Sequence, residues 1–196
     1  SIYNCENFFF FIAQNSLPYR MLNQQNYNNK YLVMSVYTKI TKDALSDHLE
    51  NYSIGQLVEI EGISDGIENT NYLLTTTKNE YIFTIFENID DKIADTYLNF
   101  MNHLNEQEFK CALVESTNTG QLSVNISNKP SAIIQKLDGK SIAETNESHC
   151  ESVGELLSEF HQKSSSFKSS LNNPRDMIWK IETIEKLSGS ISKEQT

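Results

Sequence analysis

The run Gly62-Ile-Ser-Asp-Gly-Ile-Glu-Asn-Thr-Asn-Tyr72 is the part of this chain whose residue types best suit chemistry. Strand-forming residues surround it: Leu57-Val-Glu-Ile-Glu61 before, then Tyr72-Leu-Leu-Thr-Thr76 and Tyr81-Ile-Phe-Thr-Ile-Phe-Glu87. A turn rich in Gly and Asn lets backbone N–H groups approach phosphate oxygens with no side chain in the way. Gly66 would supply the conformational freedom, and Asn69, Thr70 and Asn71 the short polar side chains. The same residues would also make an ordinary β-hairpin turn, and both readings stay open at this point.

Other reactive side chains form no constellation. His48, His103, His149 and His161 show no metal-ligand spacing and no HExxH, so no metal site is read. His161 near a helix end is suited to meeting the helix dipole. Asp90-Asp91 is read as solvated or as the cap of the following helix. Cys5, Cys111 and Cys150 make no CxxC pair, which points to reduced thiols in a cytoplasmic protein. Asp138-Gly-Lys-Ser141 ends like a Walker A loop, but Ile134 stands where the first glycine should be, so it is read as a turn.

The chain has 196 residues and a net charge of −10, from 26 acidic and 16 basic residues. A diffuse acidic balance excludes the clustered Lys and Arg of a nucleic-acid surface. Phe8–Ala13 is far too short to cross a bilayer and lacks the basic flank of a signal peptide, so no membrane partner is expected. Residues 1–33 keep no strand or helix period. Met34 opens the well-patterned part, and residues 1–33 are expected to be an irregular or non-native leader.

From Met34 the pattern predicts a helix from a Thr41 cap through Glu50, with Ala44, Leu45, His48 and Leu49 on neighbouring turns. Strands follow at 57–62, 71–76 and 81–87, the last two joined through Thr77-Lys-Asn-Glu80. A helix over 89–107 carries Ile93, Tyr97, Phe100, Met101 and Leu104 at three- and four-residue spacing. Two further strands, 112–116 and 121–127, turn through Asn118-Thr-Gly120, and the run 131–135 leads out of this layer. Ser148 and Glu151 have capping-box spacing for a helix bearing Val153, Leu156, Leu157 and Phe160. Asn173-Pro174 would start another, with Met177, Ile181, Ile184 and Leu187. The fold class is therefore α+β: a five-stranded antiparallel sheet with a helix over 34–138, then helices only over 139–196.

This organisation resembles the bacterial homoserine kinases of the aminoglycoside phosphotransferase superfamily. The residues that carry the likeness are Met34-Ser-Val-Tyr-Thr, Gly66-Ile-Glu-Asn-Thr-Asn-Tyr72, Tyr81–Glu87, Lys129-Pro130 with Leu137-Asp-Gly139, and His149-Cys-Glu-Ser-Val-Gly154. The resemblance covers about 34–187. It implies a protein-kinase-like small lobe followed by the first helices of a truncated, mainly helical large lobe. It implies ATP as donor, Mg²⁺ as cofactor and L-homoserine as the small-molecule substrate, phosphorylated on its hydroxyl for threonine biosynthesis.

Under that resemblance the turn at Gly66–Asn71 would lie over the phosphates. Thr84 takes the strand position where many kinases place a lysine, and could equally be a strand former on a wet surface. Asn99 stands where the lysine's carboxylate partner would be sought. Residues 131–137 would form the hinge, with backbone groups near Gln135 and Leu137 reaching adenine and Ile133 or Ile134 covering its face; a buried edge strand fits as well. No His-x-Asp catalytic loop and no Asp-Phe-Gly element occurs, so those groups are expected beyond Thr196 and the chain is expected to be an inactive fragment. The apolar stripes after residue 148 would then lack their partner and favour association. Two rivals remain: a kinase of the same superfamily acting on an aminoglycoside, choline or a methylthio-sugar, and a non-catalytic α+β binding module.

Overall fold

A computed structural model describes residues 36–63, 68–139, 142, 144–169, 181–182 and 184–185. Gly66 and the Asn173-Pro174 helix start lie outside these residues, as do residues 1–33. The described chain forms helix α1 (Lys42–Leu49), strands β1 (Leu57–Ile63), β2 (Thr70–Thr76) and β3 (Glu80–Ile85), and helix α2 (Asp91–Glu106). Strands β4 (Val114–Glu115), β5 (Val124–Ile126) and β6 (Lys129–Gln135) and helix α3 (Glu147–Ser164) follow.

The sheet has six strands, not five. Its order is β1-β2-β3-β6-β4, with β5 also paired to β6, and every pairing is antiparallel. The run expected to lead out of the layer is instead an interior strand. Residues Pro130–Ile134 are buried, with β3 on one side and β4 and β5 on the other. Its near-continuous apolar run is the mark of a strand covered on both faces. β4 and β5 are shorter than expected because Thr117 N–H turns to the Gln121 carbonyl and Gly120 N–H to the Thr117 carbonyl, closing a turn there. Gly120 takes φ +83°, where a side chain is disfavoured. The β5–β6 hairpin is tight: Ser127 and Asn128 both have positive φ, 51° and 61°. That pairing is the primed turn whose twist suits a two-residue hairpin.

Strand alternation splits the interior in two. One face carries Tyr72, Leu74, Tyr81, Phe83, Ile85 and Ile133, and α1 covers it with Leu45 and Leu49. The other carries Phe86, Ala132 and Ile134 beneath Ala94, Leu98, Met101 and Leu104 of α2. Thr41 caps α1 by accepting from Ala44 N–H, and Asp90 caps α2 by accepting from Ile93 N–H. Ile93 and Tyr97, expected on the inner stripe of α2, are only half-buried, while Ala94 and Leu98 are fully buried.

Helix α3 begins earlier than its expected Ser148 cap. Asn146 is the cap: its side chain accepts from His149 N–H while His149 Nδ1 accepts from Asn146 N–H. Asn caps as well as Ser, and the reciprocal partner here is an imidazole in place of a carboxylate. Phe160 alone of the expected stripe is buried, stacked edge-on to Phe100 and Phe109. Val153, Leu156 and Leu157 are 55%, 39% and 38% exposed. No helix among the described residues is long and apolar enough to cross a membrane. Cys111 is a buried free thiol, pushed up to about 11 chiefly by burial, and Cys150 is exposed and free.

Two polar groups under α1 carry stability consequences. Tyr52 is 5% exposed and its hydroxyl has no hydrogen-bond partner among the described residues. Burial raises it to about 12. An unsatisfied buried hydroxyl costs roughly 1–3 kcal/mol, so Tyr52→Phe should stabilise the fold by about 1 kcal/mol in urea unfolding. A fall in the urea midpoint would show that the hydroxyl has a partner. His48 packs on Phe83 with ring centroids 5.4 Å apart and its Nε2 lies 3.4 Å from Ser131 Oγ. Burial holds its imidazole below 6.5. The unfolded chain therefore binds the proton first as pH drops, and stability should decline from about pH 6.5 towards the lowered folded value. His48→Gln should flatten that part of the stability–pH curve; an unchanged slope would remove His48 from the titration.

Candidate functional site

The residues of the turn's second half part company at β2. Alternation sends Thr70 and Tyr72 to the α1 face and Asn71 to the α2 face, where its register partner Thr84 opposes Ala132 of the α2 core. Thr70 is completely buried. Its hydroxyl accepts from Tyr37 N–H at 2.9 Å and Thr38 N–H at 3.0 Å and donates to Glu87 Oε1 at 2.6 Å. That oxygen is thereby committed to the protein, so the Thr70 side chain supports the turn from behind. Asn69 is half-exposed just before β2.

The support is a junction that the sequence reading did not single out. Extending the β3–β6 ladder two residues beyond Ile85↔Ser131 brings Glu87 opposite Lys129. The two form an ion pair, and Lys129 Nζ also donates to Thr38 Oγ1 at 2.8 Å. Tyr72 O–H donates to the Thr38 carbonyl at 2.8 Å and accepts from Ile40 N–H at 3.2 Å. Residues 36–40 thus cross the sheet as a strap behind the turn. Gly62 permits the crossing: a Cβ there would come within 2.9 Å of Val36 Cγ2. Burial acts to raise the Glu87 carboxyl, but hydrogen bonds from Lys129, Thr70 and Thr38 and the Lys129 charge outweigh it, leaving it below 4.5. A signal did exist in the sequence. Thr38, Thr70, Glu87 and Lys129 all fall within the segments that carried the family resemblance, but only the register shows that they meet.

On the α2 face, Thr84 Oγ1 donates to Asn71 Oδ1 at 2.8 Å. Thr84 is fully buried and Asn71 is 7% exposed. The strand position is therefore interior, which removes the reading of a strand former on a wet surface. Beyond this pair the same face carries Leu73, Ile82, Ile134 and Val114 in one cross-strand row. Ile82 and Ile134 are buried, while Leu73 and Val114 are half-buried. Ile133 lies on the opposite face, in the α1 core. Ile134 is closed off beneath α2, so the apolar surface this row leaves open is that of Leu73, Val114 and the edge of Ile82.

The hinge candidates sit at the end of β6. Gln135 N–H donates to the Leu113 carbonyl at 2.8 Å, and its side-chain Oε1 accepts from Leu113 N–H at 3.4 Å. Its N–H is therefore engaged within the sheet region. Leu137 is half-buried against the α2 core. Asn99 is exposed on α2 and its amide donates back to the Asp95 carbonyl at 2.8 Å, so it does not face Thr84. Among the described residues no three His, Cys, Asp or Glu side chains gather as a metal-binding group. The site as described thus offers apolar surface and neutral hydrogen-bond donors.

The fold is that of a protein-kinase-like small lobe. The crystal structure of an aminoglycoside phosphotransferase from Alicyclobacillus acidocaldarius superposes with a TM-score of 0.57 at 14% identity, over 90% of this chain and 49% of that one. Amicoumacin kinase hAmiN, in complex with AMP-PNP, Ca²⁺ and Ami, gives 0.57 at 17% identity, over 80% and 49%. The phosphotransferase enzyme family model matches residues 59–185, and the chain belongs to that family. Homoserine kinase of Methylobacillus flagellatus is 32% identical over 161 residues, 82% of this chain and 50% of the relative. That of Janthinobacterium sp. is 38% identical over 150 residues, 76% and 47%, and that of Rhizobium meliloti 39% over 137, 68% and 41%. The chain spans about half the length of the curated relatives it matches.

The junction behind the turn can be tested directly. Lys129 is about one-third exposed (35%) and Glu87 is 7% exposed, so the loss falls mainly on a carboxylate left buried with fewer donors. Lys129→Met should cost about 2 kcal/mol at pH 7. Because the folded Glu87 value is depressed, its contribution is present above about pH 4.5 and fades as pH falls through the lowered value. The gap between wild type and variant should therefore close in acid. A gap in thermal stability that stayed constant below pH 4 would show that the ion pair is not its source.

Proposed function

We propose that this chain forms the nucleotide-covering half of an ATP-dependent kinase that phosphorylates the hydroxyl of L-homoserine. The observation that carries the reading is the arrangement on the α2 face. The Asn71–Thr84 pair lies at the root of the turn and the row Leu73–Ile82–Ile134 runs beside it. On this reading the base packs on Leu73 and the open edge of Ile82, with Leu137 and the backbone beyond Gln135 at its edge. The turn from Gly66 through Asn69 to Asn71 lies over the phosphates, and Asn71 supplies amide donors. Thr70 contributes through its backbone alone, since its hydroxyl holds the strap.

ATP would supply the phosphoryl group, with Mg²⁺ neutralising its charge. What the described residues do is bind, orient and exclude water; phosphoryl transfer depends heavily on such positioning. A divalent cation finds no gathered set of ligands among them. Its ligands, and the base that orients the acceptor hydroxyl, are assigned to the half of the relatives' length that this chain does not span. The choice of homoserine over an aminoglycoside, choline or a methylthio-sugar is supported by identities of 32–39% to homoserine kinases, against 14–17% to the structures acting on other acceptors. A cytoplasmic setting is proposed with that activity.

The deciding experiment is an acceptor panel assayed with ATP and Mg²⁺ on the natural protein translated from its gene, phosphate transfer being read by ³¹P NMR. Homoserine should be favoured over each other acceptor by about 100-fold or more in kcat/KM. Transfer to an aminoglycoside, choline or methylthio-sugar at comparable efficiency would reject the homoserine assignment. Absence of transfer to any acceptor by a protein that continues into a His-x-Asp loop would reject the kinase assignment itself.

A further inference from the structure

We infer that Thr84 is a positioning residue: through Asn71 it presents a neutral pair of N–H donors at the place where a lysine would otherwise meet the nucleotide phosphates. The inference rests on the nucleotide reading above and deepens it. Thr84 is fully buried, so it is enclosed by the protein and does not itself face a ligand. Its hydroxyl donates to Asn71 Oδ1 at 2.8 Å. An amide has one accepting end and one donating end. With the oxygen held by Thr84, the two N–H groups on Nδ2 point away from β3. Among the described residues Nδ2 has no hydrogen-bond partner, and it is not an orphaned buried atom. Asn71 is the register neighbour of Thr84, lies two residues after Asn69, and keeps a small exposed area.

The physical exchange is clear. A lysine brings one charge on a long, mobile stem. The Thr–Asn pair brings two directed donors on short side chains and no charge, in a setting where hydrogen bonds are strengthened by the low dielectric. Recognition of phosphate by such a pair depends on the amide's orientation. Losing the Thr84 hydroxyl should therefore loosen the Asn71 amide.

The test is ¹⁵N NMR of side-chain amides in the 196-residue chain, titrated with Mg·AMP-PNP into the millimolar range. The Asn71 Nδ2 pair should shift on titration in the wild type and in Thr84→Ser, which keeps the hydroxyl. Thr84→Val and Asn71→Ala should each weaken binding by about 3- to 10-fold, the worth of one or two net hydrogen bonds. The double variant should be no weaker than Asn71→Ala alone, because Thr84 acts through Asn71. Additive losses, or failure of Thr84→Ser to restore binding, would overturn the inference. So would a silent Asn71 amide while neighbouring backbone signals respond, an outcome readable in the wild type even if Thr84→Val does not fold. No response anywhere in the wild type would sink the nucleotide reading together with it.

Discussion

The pleat of β2 is the constraint on which the rest is built. Side chains in a strand alternate between faces, so Thr70-Asn-Tyr-Leu73 is divided two and two. Thr70 and Tyr72 are consumed by the strap, Glu87 and the α1 core. Asn71 and Leu73 are left for the face where Thr84 and Ile82 lie opposite them. The four residues thus tie β2 to the strap on one side and leave Asn71 and Leu73 on the other. A strand that slipped by one residue would exchange the two roles and lose both. The strap adds rigidity to this division. Its hydrogen bonds to Thr70 and Tyr72 fix the strand at the point where the turn leaves it.

Much of this was legible in the sequence for identifiable reasons. The three strands of the first half alternate strongly or are bounded by Gly and Asn, so their limits were read to within two residues. Thr41 announced its helix by side-chain chemistry alone, while Asp90 read as solvated or as a cap and is the cap. Residues 131–135 read as a run but in the wrong place. A short apolar run states that a strand is buried, not which neighbours bury it, and only pairing reveals that β6 lies inside the sheet. The same limit hid the Glu87–Lys129 junction, whose members are 42 residues apart and joined by register. Thr84 could be located on its strand, but its burial depended on α2 and on the Asn71 amide, which a one-dimensional pattern cannot supply.

Helix α3 shows where propensity overrode the preferred cap. Asn146 and Ser148 are both good N-caps, and the earlier one won because His149 can return a bond to its backbone. Two extra residues of helix follow. Near its other end Phe160 enters the α2 core between Phe100 and Phe109, so this helix joins the sheet chiefly through one aromatic ring.

The two-residue hairpin at Ser127–Asn128 has a reach beyond its size. It fixes Ile126 against Lys129, the residue that the β3–β6 register sets opposite Glu87. An inserted or deleted residue there would slip β5 along β6 and turn its side chains to the opposite face. Surface loops usually absorb length changes cheaply, but this one is followed at once by Lys129, whose ion pair with Glu87 and bond to Thr38 hold the strap. Length variation among natural versions of this chain is therefore expected to avoid residues 127–128 and to collect instead at connections that set no register, such as 116–122.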